Sequence, residues 1–223
     1  MKFPDIIYED EYILVLNKPS GLAVQGGSGV AVSMDDMLKK LSPRPLLVHR
    51  LDRDTSGVLI TAKSAREAAR CEGVFLSGGA GKHYRAVCAG EPPQTGIIAG
   101  GLTVRGREKY AHTSFTLVSS GDLAALFNKE EELGRYSLLE ITITTGRMHQ
   151  IRRQLAASGW PVLGDDKYGD FSLNRRLKKS IGVKRLMLHA YMLRFPAANG
   201  AMLEFRAPIP GAFLPYLKPA AGG

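Results

Sequence analysis

Only two cysteines occur in the 223 residues, Cys71 and Cys88, and they do not form a CxxC pair. That argues against a disulfide scaffold and against a thiolate zinc site, and leaves two lone thiols to serve as small buried hydrophobes. No run approaches the roughly 18 consecutive apolar residues of a membrane span. The N-terminus, Met1 to Asp10, mixes charge with apolar residues and lacks the apolar stretch of a signal peptide. The expectation is a soluble, cytoplasmic protein with no membrane partner. There is no internal repeat and no long low-complexity linker, so residues 1–223 read as a single domain. The three histidines near candidate motifs, His49, His149 and His189, fit no compact zinc spacing, and structural hydrogen bonding suits them better than a metal. The glycine-rich stretch QGGSGV lacks the GK[ST] ending of a phosphate-binding loop, so no nucleotide cofactor is expected.

What the chain does have is apolar content and positive charge. A hydrophobic fraction of 44% over this length supports a core without staples. Between Arg147 and Arg185 lie ten basic and three acidic residues, a net of +7 out of +9 for the whole chain. A concentrated basic surface attracts a polyanion, although a solvated lysine-rich face has the same composition. Within that segment Arg175, Arg176, Lys178 and Lys179 are the candidate phosphate contacts.

Strands are expected at Tyr12 to Leu16, Val58 to Ala62, Tyr84 to Cys88, Ser114 to Val118, Leu138 to Ile143 and Met202 to Phe205. Helices are expected after Ser33, with Met37, Leu38 and Leu41 at helical spacing, and after Ser64, where Ser64 and Glu67 form an S-x-x-E box. A third is expected over Arg147 to Ser158, with Met148, Ile151 and Leu155 on one face. Strands outnumber helices and do not alternate with them. The pattern favours an α+β fold, with a mixed, largely antiparallel central sheet and flanking helices.

The segment His49-Arg50-Leu51-Asp52-Arg53-Asp54-Thr55-Ser56-Gly57 crowds charge ahead of a strand. A loop entering a rigid strand suits catalytic groups, and a polar turn held by Asp and Ser is the plain alternative. HRLDRDTSG resembles the HRLDxxTSG signature of the RluA family of pseudouridine synthases. Other motifs follow in family order: NKPSGLAVQGG is similar to the NKPxG region, KHYRAV to a KxYxAxV strand, TGRMHQIR to TGRxHQIR, GDDKYG to GDxxYG, and LHA to a late LHA motif. The resemblance spans roughly residues 6 to 210. The wording AVQGGSG and VHRLDRDTSGVL is most similar to the branch that acts on large-subunit ribosomal RNA. That branch usually carries an N-terminal S4 RNA-binding module; this sequence begins at the catalytic part, so a synthase without that module is expected. Two departures stand out: Gln154 occupies a position where many relatives have histidine, and Met148 replaces a common threonine.

The resemblance implies the pseudouridine synthase fold and a cofactor-free, metal-free isomerase acting on RNA, with no obligate protein partner. Asp52 is then the catalytic carboxylate, as nucleophile or base. Burial alone would favour its neutral form, so a cationic partner is required, and Arg147 matches the family arginine in that role. Tyr84 matches the tyrosine that stacks on the target base. Because a stacked base is out of reach, the base must flip, and Arg50 matches the residue that fills the space it leaves. Three alternatives remain: a transfer-RNA or dual-specificity synthase, a non-catalytic RNA-binding protein, and a glycosidase-like hydrolase, which would need two carboxylates flanking the bond.

Overall fold

The structure is a computed structural model that describes residues 2–104 and 106–217. Along the chain run β1 (Asp5–Glu9), β2 (Ile13–Lys18), α1 (Met34–Leu38), β3 (Leu46–Leu47), β4 (Ser56–Ala62), α2 (Ala65–Ser77), β5 (Gly81–Ala89), β6 (Thr95–Val104), β7 (Arg107–Asp122), α3 (Leu123–Leu126), β8 (Arg135–Ile143), α4 (Gln150–Ala157), α5 (Phe171–Ser180), β9 (Leu188–Pro196) and β10 (Met202–Arg206), then a 3₁₀ helix at Gly211–Leu217. The class is α+β, as the element pattern predicts. Two compact units divide the chain. The first is Met1–Lys82 with Ala190–Pro208, and the second is His83–His189 with Ile209–Gly223.

In the first unit the strand order is β1-β2-β4-β9, with β3 on β4 and β10 on β9. The pairs β1–β2, β2–β4, β3–β4 and β9–β10 are antiparallel. Strand β4 is buried at every position and β2 at all but Asn17. Both faces of these strands are covered, which is why residues 13–16 and 58–60 read as unbroken apolar runs and not as alternations. Ile13, Val15, Val58, Ile60, Cys71, Phe195 and Phe205 belong to one core, against which Ala68, Val74 and Phe75 of α2 pack. At the start of α1 the Ser33–Asp36 capping box is complete, but the helix stops at Leu38 and leaves Leu41 exposed. The S-x-x-E box of α2 forms only by half. Ser64 Oγ accepts from the Glu67 N–H at 3.2 Å, while the Glu67 carboxylate turns to the Arg70 guanidinium. Arg70 in turn donates to the Pro196 carbonyl of β9 at 2.9 Å, so the pair ties α2 to the sheet. Burial, with Glu67 alongside, pushes the Cys71 thiol up to about 12, and burial raises Cys88 in the second unit as well. Both are free and buried, the environment expected of lone thiols.

In the second unit the order is β5-β8-β7-β6. Strand β7 is long and has two antiparallel partners: β6 from Val104↔Arg107 to Thr95↔Thr116, and β8 from Thr113↔Ile143 onward. The expected strand Ser114–Val118 is only its middle. Strand β6 escapes the sequence pattern because Gly96, Gly100 and Gly101 fall among its ten residues and glycine gives no strand signal. Helix α4 begins three residues later than its pattern suggests. Its N-cap, His149, takes a left-handed conformation (φ 53°), so Arg147 and Met148 precede the helix. Met148 is accordingly exposed and does not share the buried face of Ile151 and Leu155.

Two residues of the HRLDRDTSG segment yield predictions about the first unit. Gly57 has φ +121° and lies so close to β9 that an added Cβ would overlap the Ala190 carbonyl. Gly57→Ala should cost about 2–4 kcal/mol, from backbone strain and displacement of β9, read as a lower urea midpoint.

His49 stacks on Phe75 with ring centroids 4.5 Å apart, and its Nε2 accepts from the Ile60 N–H at 3.0 Å. Burial, and then the charge of Lys82, pushes its pKa from 6.5 to about 3. The unfolded chain therefore takes up this proton below about pH 6.5 and the folded chain does not until about pH 3. The stability from this group is complete above pH 6.5 and is lost progressively as pH falls toward 3. Between pH 7 and pH 5 the loss should be about 2 kcal/mol for the parent protein, and His49→Gln should lack it when the two are unfolded in urea at both pH values.

Candidate active site

Lys18 closes β2 and is fully buried. Its ammonium donates to the carbonyls of Pro19, Leu22 and Arg53 at 2.9, 2.8 and 2.9 Å. Three donors meet three acceptors, which is the condition for tolerating a buried ammonium. Around the same contact, the Gly21 N–H donates to the Arg53 carbonyl at 2.9 Å and Ser20 Oγ donates to the Asp54 carbonyl at 2.6 Å. The Thr55 N–H donates to the Asp52 carbonyl at 3.2 Å and closes a turn over 52–55. The NKPSG and HRLDRDTSG motifs are thus one device: the first holds the second. Asp52 opens that turn and is partly buried, while Arg50 and Arg53 are exposed. Asp54 sits inside the turn with its carboxylate 3.4 Å from Arg53 Nε. In the sequence Lys18 appears only as part of the NKPSG motif. Its role as anchor was signalled only by a cation at the end of an apolar run.

The second unit carries Tyr84 and Arg147. Tyr84 lies in β5 with its ring largely buried. Arg147 belongs to the loop before α4, and that loop is organised by Gln150. The buried Gln150 carboxamide accepts from the Thr145 hydroxyl at 2.7 Å and from the Arg147 N–H at 3.1 Å, and donates to the His112 carbonyl at 2.9 Å and to Thr113 Oγ1 at 3.1 Å. Arg147 Nε donates to the Tyr110 carbonyl at 3.0 Å, which fixes the guanidinium with one of its five N–H groups. One turn along α4, Gln154 is also buried. It accepts from Thr113 Oγ1 at 2.6 Å and donates to the Ile98 carbonyl at 3.0 Å, so the carboxamide at this position staples α4 to β6 and β7.

The TGRMHQIR and GDDKYG motifs also meet. Arg152 forms a buried bidentate pair with Asp165, at 2.7 Å for both bonds, and Asp165 accepts the Lys167 and Tyr168 N–H groups at 2.9 Å each. Burial works to raise the Asp165 carboxyl, but the guanidinium and the N–H donors outweigh it and hold the group below its ordinary range. The Arg152 guanidinium lies 5.3 Å from the centroid of the Tyr168 ring, and the Tyr168 hydroxyl is 3.0 Å from His149 Nδ1. His149 and His49 thus hold hydrogen bonds within their own units.

The basic run that the sequence marks out as a charged stretch is the helix α5, capped by Asp170 Oδ1 accepting from the Leu173 N–H. Leu173 and Leu177 face inward, and Arg175, Arg176, Lys178 and Lys179 are all exposed. Lys178 and Lys179 lie in the last turn, where cations complement the helix dipole. Arg176 is also drawn to the Glu132 carbonyl, at 2.8 Å, and Arg185 lies over the Phe213 ring, so these two have structural contacts as well. Among the described residues no group of three or more His, Cys, Asp or Glu side chains is placed to hold a metal ion, and no helix is long and apolar enough to cross a membrane.

The sequence model of the RNA pseudouridylate synthase family matches residues 12–157. The ribosomal large subunit pseudouridine synthase C of Salmonella typhimurium is 36% identical over 222 residues, covering 93% of this chain and 67% of that protein. The protein of the same name from Escherichia coli is 36% identical over 219 residues, covering 92% and 66%. The chain therefore spans about two thirds of the length of these relatives. Two solved structures share the fold. Human RNA pseudouridylate synthase domain containing 4 has a TM-score of 0.76 at 25% identity, over 95% of this chain and 91% of that one. Human RNA pseudouridylate synthase domain containing 1 has the same TM-score and identity, over 97% and 86%. With its motifs, its sequence relatives and its fold in agreement, the chain belongs to the RluA family of RNA pseudouridylate synthases.

Proposed function

We propose that this protein isomerises uridine to pseudouridine in large-subunit ribosomal RNA, in the cytoplasm, with residues 1–223 acting as one catalytic domain. The observation that carries the RNA class is the 36% identity, across more than nine tenths of the chain, to proteins named for that substrate. In the reaction the bond from uracil nitrogen to the anomeric carbon breaks, the base turns in place, and its carbon 5 bonds to the anomeric carbon. The proton lost from carbon 5 is balanced by one gained at nitrogen. No atom or electron is gained or lost overall, so the chemistry calls for no redox or group-transfer cofactor.

Asp52 is assigned as the carboxylate that starts the reaction, and the Lys18 anchor supports this by fixing the turn from which it projects. Arg147 supplies positive charge where anionic character develops, its guanidinium steadied by the Tyr110 carbonyl. Tyr84 is assigned to the face of the flipped base, and exposed Arg50 to the space that the base vacates. The exposed cations of α5 are assigned to the phosphate backbone.

Asp52→Asn removes a charge and little volume. It should lower tritium release from 5-labelled uridine in RNA by about a thousandfold or more, with the melting temperature unchanged. Near-parental release would remove Asp52 from the mechanism. The substrate is read by incubating the protein with equal amounts of unmodified large-subunit RNA and a transfer-RNA pool and then mapping pseudouridine. The expected product lies in the ribosomal RNA; modification confined to transfer RNA would replace the substrate and keep the chemistry.

Replacing Arg175, Arg176, Lys178 and Lys179 with alanine should weaken binding to all RNA sequences. It should also reduce the slope of log K against log salt by about 3, for four single-strand phosphate contacts. An unchanged slope would route the RNA away from α5.

A further inference from the structure

His149 of TGRMHQIR and Tyr168 of GDDKYG take no part in the chemistry proposed above. The Gln150 N–H donates to the Arg147 carbonyl at 3.1 Å, so residues 147–150 form a β-turn that Arg147 opens. His149 occupies the third position of that turn with φ 53°, in the left-handed region. A turn with positive φ at this position favours glycine or asparagine, because a larger side chain crowds the following carbonyl. Among the described residues only Asn128 and His149 adopt positive φ without being glycine. Asparagine does so readily; a histidine kept there needs an interaction that offsets the cost.

Tyr168 supplies that interaction. Its hydroxyl lies 3.0 Å from His149 Nδ1, and the two rings meet edge to face with centroids 5.5 Å apart. Tyr168 is itself fixed from several sides. Its N–H donates to the buried Asp165 carboxylate at 2.9 Å, and its ring lies 5.3 Å from the Arg152 guanidinium. The next residue, Gly169, is packed so closely that an added Cβ would overlap the Asp165 carbonyl. Asn174 secures the start of the loop, accepting from the Gly164 N–H at 2.8 Å and donating to the Asp165 carbonyl at 2.9 Å. The GDDKYG loop is therefore a rigid mount, and it presents the Tyr168 hydroxyl to the start of α4. Helix α4 is anchored in turn by Gln150 and Gln154, and only Met148 separates His149 from Arg147. The backbone angles of His149 thus set the direction in which Arg147 leaves the helix, and with it the reach of Arg147 Nε to the Tyr110 carbonyl.

We propose that Tyr168 and His149 are positioning residues for Arg147: the Tyr168 hydroxyl holds the His149 ring, the ring holds the left-handed turn, and the turn aims the guanidinium. The inference rests on the reading of Arg147 as part of the reacting site. Both residues act through the backbone, and neither exchanges a proton with the substrate.

The test uses the full chain and two readouts. In protein labelled with the NMR-active nitrogen isotope, the Arg147 Nε–H signal, identified by its loss in Arg147→Lys, reports the bond to the Tyr110 carbonyl. Tyr168→Phe keeps the ring beside Arg152 and removes only the hydroxyl. It should shift or broaden that signal. It should also lower kcat for pseudouridine formation in ribosomal RNA about tenfold, with KM and melting temperature unchanged, as expected when a reacting group is misplaced. His149→Ala, His149→Gly and His149→Asn all remove the imidazole. Glycine and asparagine accept the left-handed turn and alanine does not, so those two variants should retain about fivefold more kcat than His149→Ala. Equal losses in all three would make the imidazole itself the active group and overturn the proposal. A raised KM at parental kcat in Tyr168→Phe would overturn it in favour of direct RNA contact. If His149→Ala melts early, Tyr168→Phe decides alone. Pseudouridine formation by the parent protein separates the two readings. Formation with an unmoved Nε–H signal in Tyr168→Phe sinks the positioning role alone. No formation on any RNA sinks the enzymatic reading, while the Nε–H signal still decides whether Tyr168 and His149 hold Arg147.

Discussion

The contact between Lys18 and three backbone carbonyls organises the first unit. An ammonium in the interior is costly unless each of its N–H groups finds an acceptor, and here all three do, at 2.8 to 2.9 Å. Two of those carbonyls belong to the Pro19–Leu22 loop and the third to Arg53, so a single charge closes one loop and fixes another 35 residues away. Neutral hydrogen bonds from Ser20 and Gly21 complete the junction. Asp52 inherits its position from this junction: β2 places Lys18, Lys18 places Arg53, and the turn carries the aspartate. The catalytic role proposed for Asp52 calls for such support.

The second unit solves the same problem with neutral groups. Gln150 and Gln154 stand one helical turn apart on α4, and both carboxamides reach Thr113 of β7. Each amide has both donors and acceptors, so one side chain can bridge a carbonyl and a hydroxyl at once. Gln150 thereby shapes the Thr145–Arg147 loop, and Gln154 holds the β6–β7 pair. Neither carboxamide titrates, in contrast to the His49 imidazole of the first unit.

The sequence was legible where local chemistry and tertiary context agree. The runs around Val15 and Ile60 are apolar on both faces and form buried strands; Ser33 with Asp36 makes the cap its spacing predicts. It misled where a longer-range partner won. Glu67 leaves the cap of α2 for Arg70, and Gln150 pulls the Arg147 loop into a shape that delays the start of α4. Strand β6 was hidden because its glycines carry no periodicity and its pairing with β7 supplies the order. Asp52, Arg147 and Tyr84 stand out as candidates from the motifs of the chain alone. Lys18 and Gln150, which hold the two loops, do not, because a supporting role is written in contacts between segments far apart in sequence.

The Arg152–Asp165 pair has an implication for how this protein can change over generations. Both partners are buried, and removing either strands a charge in the interior, at a cost of about 3–5 kcal/mol. That is a large share of the margin by which a domain stays folded. A lineage cannot lose one member and wait for the other to follow, and even an apolar pair of matching volume would leave the Lys167 and Tyr168 N–H groups without the acceptor that Asp165 gives them. The two codons are therefore bound to a shared fate, and the neighbouring Tyr168 and His149, positioned by the pair, are inherited along with them.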